Sequence, residues 1–371
     1  MRSYLLRRIL FFIPTLLIII VVSFVILVNA PGDPVERMMQ AGGTGEMIPA
    51  PLLEKQRVTI RHQLGLDLPV FYFSMHSLSG EGIKKFIPAV SFYSHNRFHN
   101  WVFGDGASGK GIIRGDFGMS WLTHQPVLQL IGDRIGWSLF FTLTSILLAY
   151  LISIPVGIKS AAHKNSRFDR TTSVILFIFY SLPVFWVATL LLMTFANPDS
   201  FYLFPAAGVR PVAGYGEHLN VFQKIYLSLP YLVLPTICYT YSSLTFISRM
   251  VRGSMLEILN SDFIRTARAK GLSEKKVLWK HALKNALFPV ITVFAHVFPA
   301  MIGGSVIIEN IFTIPGMGNA VYESIASQDY PVLIAVFTIT GLLTLIGYLV
   351  SDILYAWVDP RISFSNKMRP L

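Results

Sequence analysis

Apolar residues along this chain gather into six stretches long enough to cross a bilayer, at residues 9–29, 137–157, 172–196, 231–248, 287–308 and 331–350. A spanning helix needs about 20 consecutive, mostly apolar residues. None of the six contains Asp, Glu, Lys or Arg, so each predicts one membrane helix. The fourth is the most polar, with Thr236, Thr240, Ser242, Ser243 and Thr245 inside it. Pro14, Pro155, Pro183, Pro235, Pro289 and Pro299 lie within the runs or at their ends. Membrane helices tolerate proline where neighbouring helices satisfy the freed carbonyls, so the pattern predicts a packed bundle.

The first run is tested against a cleaved leader. Arg2, Arg7 and Arg8 precede it, and Val28-Asn29-Ala30 imitates a cleavage site. Its apolar core of about 20 residues exceeds the roughly 7–15 of a signal peptide. Pro31 would also follow the cut. The run is therefore expected to stay as an anchor.

Composition agrees with the pattern. Of 371 residues 53% are hydrophobic and 14% charged, against about 25% charged in a soluble domain, and mean hydropathy is +0.55. So apolar a chain fits neither a set of soluble domains nor a disordered polymer. The single cysteine, Cys238, leaves no internal disulfide. A net charge of +11 could suggest nucleic acid, but its placement gives another explanation. The N-terminal flank, residues 158–171, residues 249–286 and the tail from residue 351 sum to +13, and the alternate connections to −2. Glu309, Glu323 and Asp329 supply the acidic side. Basic flanks stay in the cytoplasm, so both termini are expected there and no nucleic acid is required.

Two connections are more than linkers. Residues 31–136 are long, punctuated by Pro31-Gly32-Asp33-Pro34, Gly42-Gly43 and Gly104-Asp105-Gly106, and rich in aromatics such as Phe71, Tyr72 and Phe73. They predict an ordered extracytoplasmic element. Residues 249–286 predict two short helices separated by Gly271-Leu272-Ser273. Asn260 or Ser261 can cap the first, Gly271 suits its C-terminal end, and Ser273 can cap the second. The second places Trp279, Ala282, Leu283 and Ala286 on one stripe beside Lys276, Lys280 and Lys284, a pattern that fits the membrane interface. The first, from Asp262 to Lys270, sets small residues Thr266, Ala267 and Ala269 among basic ones behind Phe263. It reads as a plug for a partner's groove or as a basic interfacial helix.

Enzyme chemistry finds no support. His163, His281, His296 and Cys238 are scattered without metal-ligand spacing. No carboxylate lies in the six runs, which disfavours a proton-coupled secondary transporter. Tyr180, Ser181, Tyr239, Thr240, Ser242, Ser243 and Ser305 are the polar groups that could line a passage, or equally pack between helices. Gly303-Gly304-Ser305 is expected to let two helices approach closely.

The stretch Thr266-Ala267-Arg268-Ala269-Lys270-Gly271-Leu272-Ser273, followed by Lys280-His281-Ala282-Leu283-Lys284-Asn285-Ala286 and Pro289, resembles the coupling loop of ABC importer permeases of the dipeptide/oligopeptide branch. Further blocks agree in order. They are Pro31-Gly32-Asp33-Pro34, Leu64-Gly65-Leu66-Asp67-Leu68-Pro69, Gly115-Asp116-Phe117-Gly118-Met119-Ser120, Ile314-Pro315-Gly316-Met317-Gly318, Asp329-Tyr330-Pro331-Val332 and Asp359-Pro360-Arg361-Ile362. Ser166-Arg167-Phe168-Asp169 adds a likeness to the Yej-type B permeases. The chain departs from the general importer motif, Glu-Ala-Ala, by carrying Arg265-Thr266-Ala267, and has about 30 extra residues near 77–113. That insertion is expected to be a peripheral addition near the docking face for a binding protein.

The resemblance implies an all-α integral membrane protein with six transmembrane helices, the type I ABC importer permease fold and a long extracytoplasmic loop after the first helix. It divides the chain into an N-terminal helix (1–30), that loop (31–136), a permease core (137–357) and a cytoplasmic tail (358–371). Implied partners are a homologous second permease, two ATPase domains, an extracytoplasmic substrate-binding protein and membrane lipid, in a bacterial inner membrane. Phe263, Thr266, Ala267, Ala269 and Gly271 would form the ATPase contact, and Tyr180, Ser181, Tyr239, Thr240 and Ser305 would border the pathway. No G-x-x-x-x-G-K-[ST] motif occurs in the sequence, so the chain itself would hold no cofactor, with ATP and Mg on the ATPase partners. Peptide import is the implied function; nickel or glutathione import, or a channel or secondary transporter outside the ABC class, are the alternatives.

Overall fold

The computed structural model describes residues 2–41, 50–77, 88–104, 110–216, 218–294 and 297–358. His296, the block at residues 359–362 and parts of the 77–113 insertion lie outside the described residues. The chain forms two compact units. The larger comprises Met1–Thr15, Arg134–Ala320 and Ile339–Leu371; the smaller comprises Leu16–Asp133 and Val321–Thr338.

Helix α1 (Arg2–Val28) is followed by α2 (Pro34–Ala41) and α3 (Ala50–Gln63). Strands β1 (Phe73–Ser77) and β2 (Pro88–Phe92) then form an antiparallel hairpin, a departure from the all-α expectation. After α4 (Arg97–Phe103) come the long α5 (Val127–Ala162), α6 (Arg167–Ser181), α7 (Val184–Phe195) and α8 (Val221–Leu259). The basic loop contains α9 (Asp262–Ala269), α10 (Glu274–Lys276), a π-helical stretch Val277–Ala282 and α11 (Leu283–Ala286). Short helices α12 (Phe288–Phe294), α13 (Val297–Gly303), α14 (Val306–Ile311) and α15 (Met317–Ser327) precede α16 (Tyr330–Val358).

Among the described residues four helical segments are long and apolar enough to cross a membrane: Leu6–Val28, Val127–Ala162, Val221–Leu259 and Tyr330–Tyr355. The third apolar run is not straight. It bends by 97° between α6 and α7, where Pro183 disfavours helical backbone at Leu182. Taken as one bent span, the pair makes five. The fifth run, expected as one helix, is interrupted at Gly304, whose φ of +56° ends α13 before α14 begins; residues 295 and 296, between α12 and α13, lie outside the described residues. Helix α8 begins ten residues before the apolar run. A capping box starts it: Gln223 N–H donates to Asn220 Oδ1 at 2.9 Å, and Asn220 N–H to Gln223 Oε1 at 3.0 Å.

Among the described residues of the larger unit two apolar cores stand out. One gathers Ile158 and Ala161 of α5, Val251 and Met255 of α8, and Ile264 and Ala267 of α9. The other joins Phe141, Ala188, Leu234, Cys238, Ile308 and Phe312. Gly157 permits the close crossing of α5 and α8, since a Cβ there would stand 2.8 Å from the Val251 side chain. In the smaller unit, Phe24 and Leu27 of α1 pack with Phe98 and Val102 of α4 and with Tyr330, Leu333 and Ile334 of α16. Asp329 organises that unit's polar contacts. It accepts from Ser120 Oγ at 2.5 Å and from the N–H groups of Trp121 and Leu122 at 3.1 and 3.3 Å. Two blocks far apart in sequence thus form one joint.

Candidate functional site

The basic loop is held to its own unit by an apolar face. Ile264 is fully buried and Ala267 is 7% exposed, both inside the α5–α8 core. On the other side of the short helix Phe263, Thr266 and Ala269 are exposed. Ala267 was expected on the outward contact face, and the structure turns it inward. The reason is helical spacing: residue 267 lies three after Ile264 and shares its side of the helix.

The helix ends in a Schellman turn. Leu272 N–H donates to Ala267 O at 3.4 Å and Gly271 N–H to Arg268 O at 2.9 Å. Gly271 takes φ +75°, the left-handed conformation predicted for it. Arg268 closes the turn by donating to Glu274 at 2.8 and 3.3 Å. Ser261 and Ser273 stand at the N-cap positions, yet neither side chain makes a capping bond. Ser261 Oγ donates instead to Ile258 O at 2.6 Å. The second helix also differs from its expectation. Val277, Ala282 and Ala286 are buried in the α5–α8 core, so its apolar stripe covers protein rather than a membrane interface. The π-helical turn shifts the phase of that stripe and leaves Trp279 exposed.

A bidentate pair anchors the base of the loop. Arg252 Nε and Nη2 donate to Asp169 Oδ1 and Oδ2 at 2.7 and 2.8 Å. Asn165 N–H donates to the same carboxylate at 2.9 Å, and Ser166 Oγ accepts from Asp169 N–H at 3.2 Å. The Ser166–Asp169 block therefore ties the start of α6 to the end of α8.

A second polar assembly surrounds Glu309, which the charge pattern placed only as an acidic residue of an external connection. Its side chain is fully buried. Oε1 accepts from Ser138 Oγ at 2.8 Å, Tyr239 Oη at 3.0 Å and Ser305 N–H at 3.3 Å; Oε2 accepts from Asn319 N–H at 2.9 Å. Met317 N–H donates to Ser138 Oγ at 2.7 Å. Buried carboxylates persist when their lone pairs are satisfied in this way. Glycines make the room: a Cβ at Gly304 would stand 2.4 Å from Oε1, and one at Gly316 2.4 Å from the carboxyl carbon. Gly304 therefore admits the carboxylate and the 318 turn, whereas helix-on-helix approach was expected there.

Of the five residues expected along a pathway, Tyr239 and Ser305 meet at this carboxylate, Ser305 N–H donating to Tyr239 Oη at 3.1 Å. Thr240 is buried and its hydroxyl returns to Thr236 O at 2.6 Å. Tyr180 is exposed on α6, and Ser181 Oγ donates to Phe177 O at 2.9 Å. Those three do not join the assembly. Sequence reading missed Glu309, Ser138 and Asn319. The signal available was an acid directly after an apolar run, followed by Gly316 and Gly318. Among the described residues no group of three or more His, Cys, Asp or Glu side chains could hold a metal ion.

Long apolar helices together with a surface-presented basic helix make this a multi-pass membrane protein. Residues 153–364 match the family described as binding-protein-dependent transport system inner membrane component, and the chain belongs to it. The oligopeptide transport system permease protein AppB of Bacillus subtilis (strain 168) is 35% identical over 365 residues, 98% of this chain and 100% of the relative. The inner membrane ABC transporter permease protein YejB of Escherichia coli O157:H7 is 35% identical over 373 residues, 99% and 100% of the two chains. The dipeptide transport system permease protein DppB of Alkalihalophilus pseudofirmus is 30% identical over 375 residues, 98% and 100%. A chain of the MetNI methionine ABC transporter in an inward-facing conformation overlays with TM-score 0.47 and 20% identity, covering 62% of this chain and 97% of that one.

Proposed function

We propose that this chain is one of two homologous permease subunits of an importer for peptides or peptide-bearing compounds. The substrate class rests on relatives that share at least 30% identity over nearly the whole chain and are named for oligopeptides and dipeptides. In this reading both termini are cytoplasmic and the segments α12 to α14 complete a sixth crossing. A binding protein delivers ligand on the opposite side. ATP and Mg are held by the two ATPase subunits and not by this chain.

The observation that carries the mechanism is the two-sided α9. Its inner side, Ile264 and Ala267, is part of the core that also holds α5 and α8. Its outer side, Phe263, Thr266 and Ala269, is exposed together with the basic Arg265, Arg268 and Lys270. A short rigid helix so seated transmits displacement of a partner's groove into the bundle as rigid-body motion. Gly271 and the Arg268–Glu274 contact keep it from rotating independently. The test is uptake of a labelled tripeptide into vesicles containing the assembled transporter, with binding protein and ATP. Uptake that needs all components supports the reading. Uptake without ATP would assign a channel instead, and uptake of nickel or glutathione in place of peptide would move the substrate class.

A further inference from the structure

Within the larger unit, helix α6 is joined to α8 by three polar contacts spread along its length. At its start stands the Arg252–Asp169 pair. Two turns on, Thr245 Oγ1 donates to Leu176 O at 3.0 Å. At its end Tyr241 Oη donates to Leu182 O at 2.9 Å. Rising numbers on α6 (169, 176, 182) meet falling ones on α8 (252, 245, 241), so the two helices run antiparallel and are tied at the start, middle and end. Asp169, Thr245 and Tyr241 are all buried. Away from water, hydroxyls bonded across helices act as fixed links between them.

The last contact falls on the bend. Leu182 has ψ 121°, extended and not helical, and Pro183 brings no N–H to continue the ladder. In an unbroken helix the Leu182 carbonyl would accept from Trp186 N–H. Here Trp186 and Val187 N–H both donate to Pro183 O at 3.1 Å. A carbonyl without a partner is costly at membrane depth, and Tyr241 supplies the partner. Its ring also meets Phe179 edge-on at 6.3 Å. Beyond the bend, Val184 and Ala188 pack α7 into the other core, with Leu234 and Ile308. A break between two packed helices is the place where a hinge absorbs motion.

We propose that Tyr241 is a positioning residue for transport. Its hydroxyl ties the bend to α8, so displacement received at α9 reaches α7 as one movement and is not absorbed by flexing at Leu182–Pro183. Helices α9, α5 and α8 share one core, and this role rests on α9 being the coupling surface.

Tyr241→Phe keeps the ring and removes only the hydroxyl. With buried Cys238 replaced by Ser, nitroxides at the exposed positions Val174→Cys on α6 and Met193→Cys on α7 report the bend. The complete chain is co-assembled with its partner subunits in nanodiscs and measured without nucleotide by double electron–electron resonance. The chain with Tyr241 should show one narrow distance. Tyr241→Phe should hold a share of other bend angles about fivefold larger, the shift expected for one lost buried hydrogen bond. The same variant should import several-fold less tripeptide per ATP hydrolysed, while hydrolysis stimulated by the binding protein continues. Thr236→Val, whose hydroxyl returns to Leu232 O of its own helix at 2.6 Å, should change neither quantity. An unchanged distance distribution in Tyr241→Phe overturns the proposal, as does equal broadening in Thr236→Val. Normal uptake per ATP despite a broadened distribution overturns it as well. If either label prevents assembly, the exposed Phe177 and Leu190 take their places. Import without ATP by the unsubstituted complex would contradict the coupling surface alone, since the distance readout uses no nucleotide.

Discussion

Two loops of the larger unit hold their shape by opposite means. Residues 260–286 are fixed by apolar side chains, Ile264, Ala267, Val277 and Ala282, and leave an aromatic and basic face uncovered. Residues 304–319 are fixed by one buried carboxylate that takes hydrogen bonds from four donors and exposes none of itself. The first arrangement presents a surface and the second closes one. A helix meant to be met from outside can be anchored cheaply by two side chains, whereas a turn that joins α5, α8 and α14 needs directional bonds to specify a single geometry.

Removing the carboxylate should have the largest effect. Glu309→Ala strands two hydroxyls and two backbone N–H groups, at about 1–3 kcal/mol for each buried group left unpaired. The protein is expected to lose most of its folded yield, read by thermal unfolding of the purified complex in detergent. Glu309→Gln keeps an oxygen for the three donors on Oε1 but faces Asn319 N–H with an amide donor, so it should fall between wild type and Ala. Equal stability of all three would show that the buried carboxylate is not the organiser of its loop.

The apolar anchor should come next. Ile264→Ala opens a cavity in the α5–α8 core, with an expected loss of about 2–5 kcal/mol. Ala267→Asp places a charge in the same core and should be worse, since an unpaired buried charge is costly. Both should increase proteolysis of the 260–286 loop before they affect bilayer insertion. A protease pattern like wild type for Ala267→Asp would place that residue back on the outward face.

The periodicity of residues 260–286 made two short helices and the glycine turn between them legible in the sequence. Which side of α9 faces in was legible too, from Ile264 and Ala267 at a spacing of three, but small size was taken as a sign of partner contact. Glu309 could not be read that way. Its partners Ser138 and Tyr239 lie 171 and 70 residues away, and counting charge by segment treats every acid as solvated. The same holds for Asp329 and Ser120, 209 residues apart. The bend at Leu182-Pro183 was marked by proline, but hydropathy alone cannot tell a bent pair from a straight span.

The smallest effect concerns the smaller unit. Asp116 accepts from the backbone N–H groups of Lys110 and Gly118, both at 2.9 Å, and these bonds hold its carboxyl below the ordinary value of 3.8. A depressed folded pKa contributes stability above the unfolded value, lost as pH falls through the folded one. Asp116→Asn should therefore flatten slightly the loss of stability below about pH 3.8, leaving neutral pH nearly unchanged. An unaltered acid limb in a pH series of melting curves would show that these two bonds do not contribute.

The two-sided α9 is tested most directly by Phe263→Ala, which removes an outward ring and touches no core residue. In the assembled complex of both permeases, ATPase and binding protein, the quantity to measure is ATP hydrolysis stimulated by the binding protein. Loss of an interface anchor of about 2 kcal/mol weakens ATPase association about thirtyfold. Stimulated hydrolysis should collapse while the thermal unfolding of the permease stays at the wild-type temperature. Near-normal stimulated hydrolysis, or an equal fall in permease stability, would contradict the assignment of α9's outer face as the coupling surface.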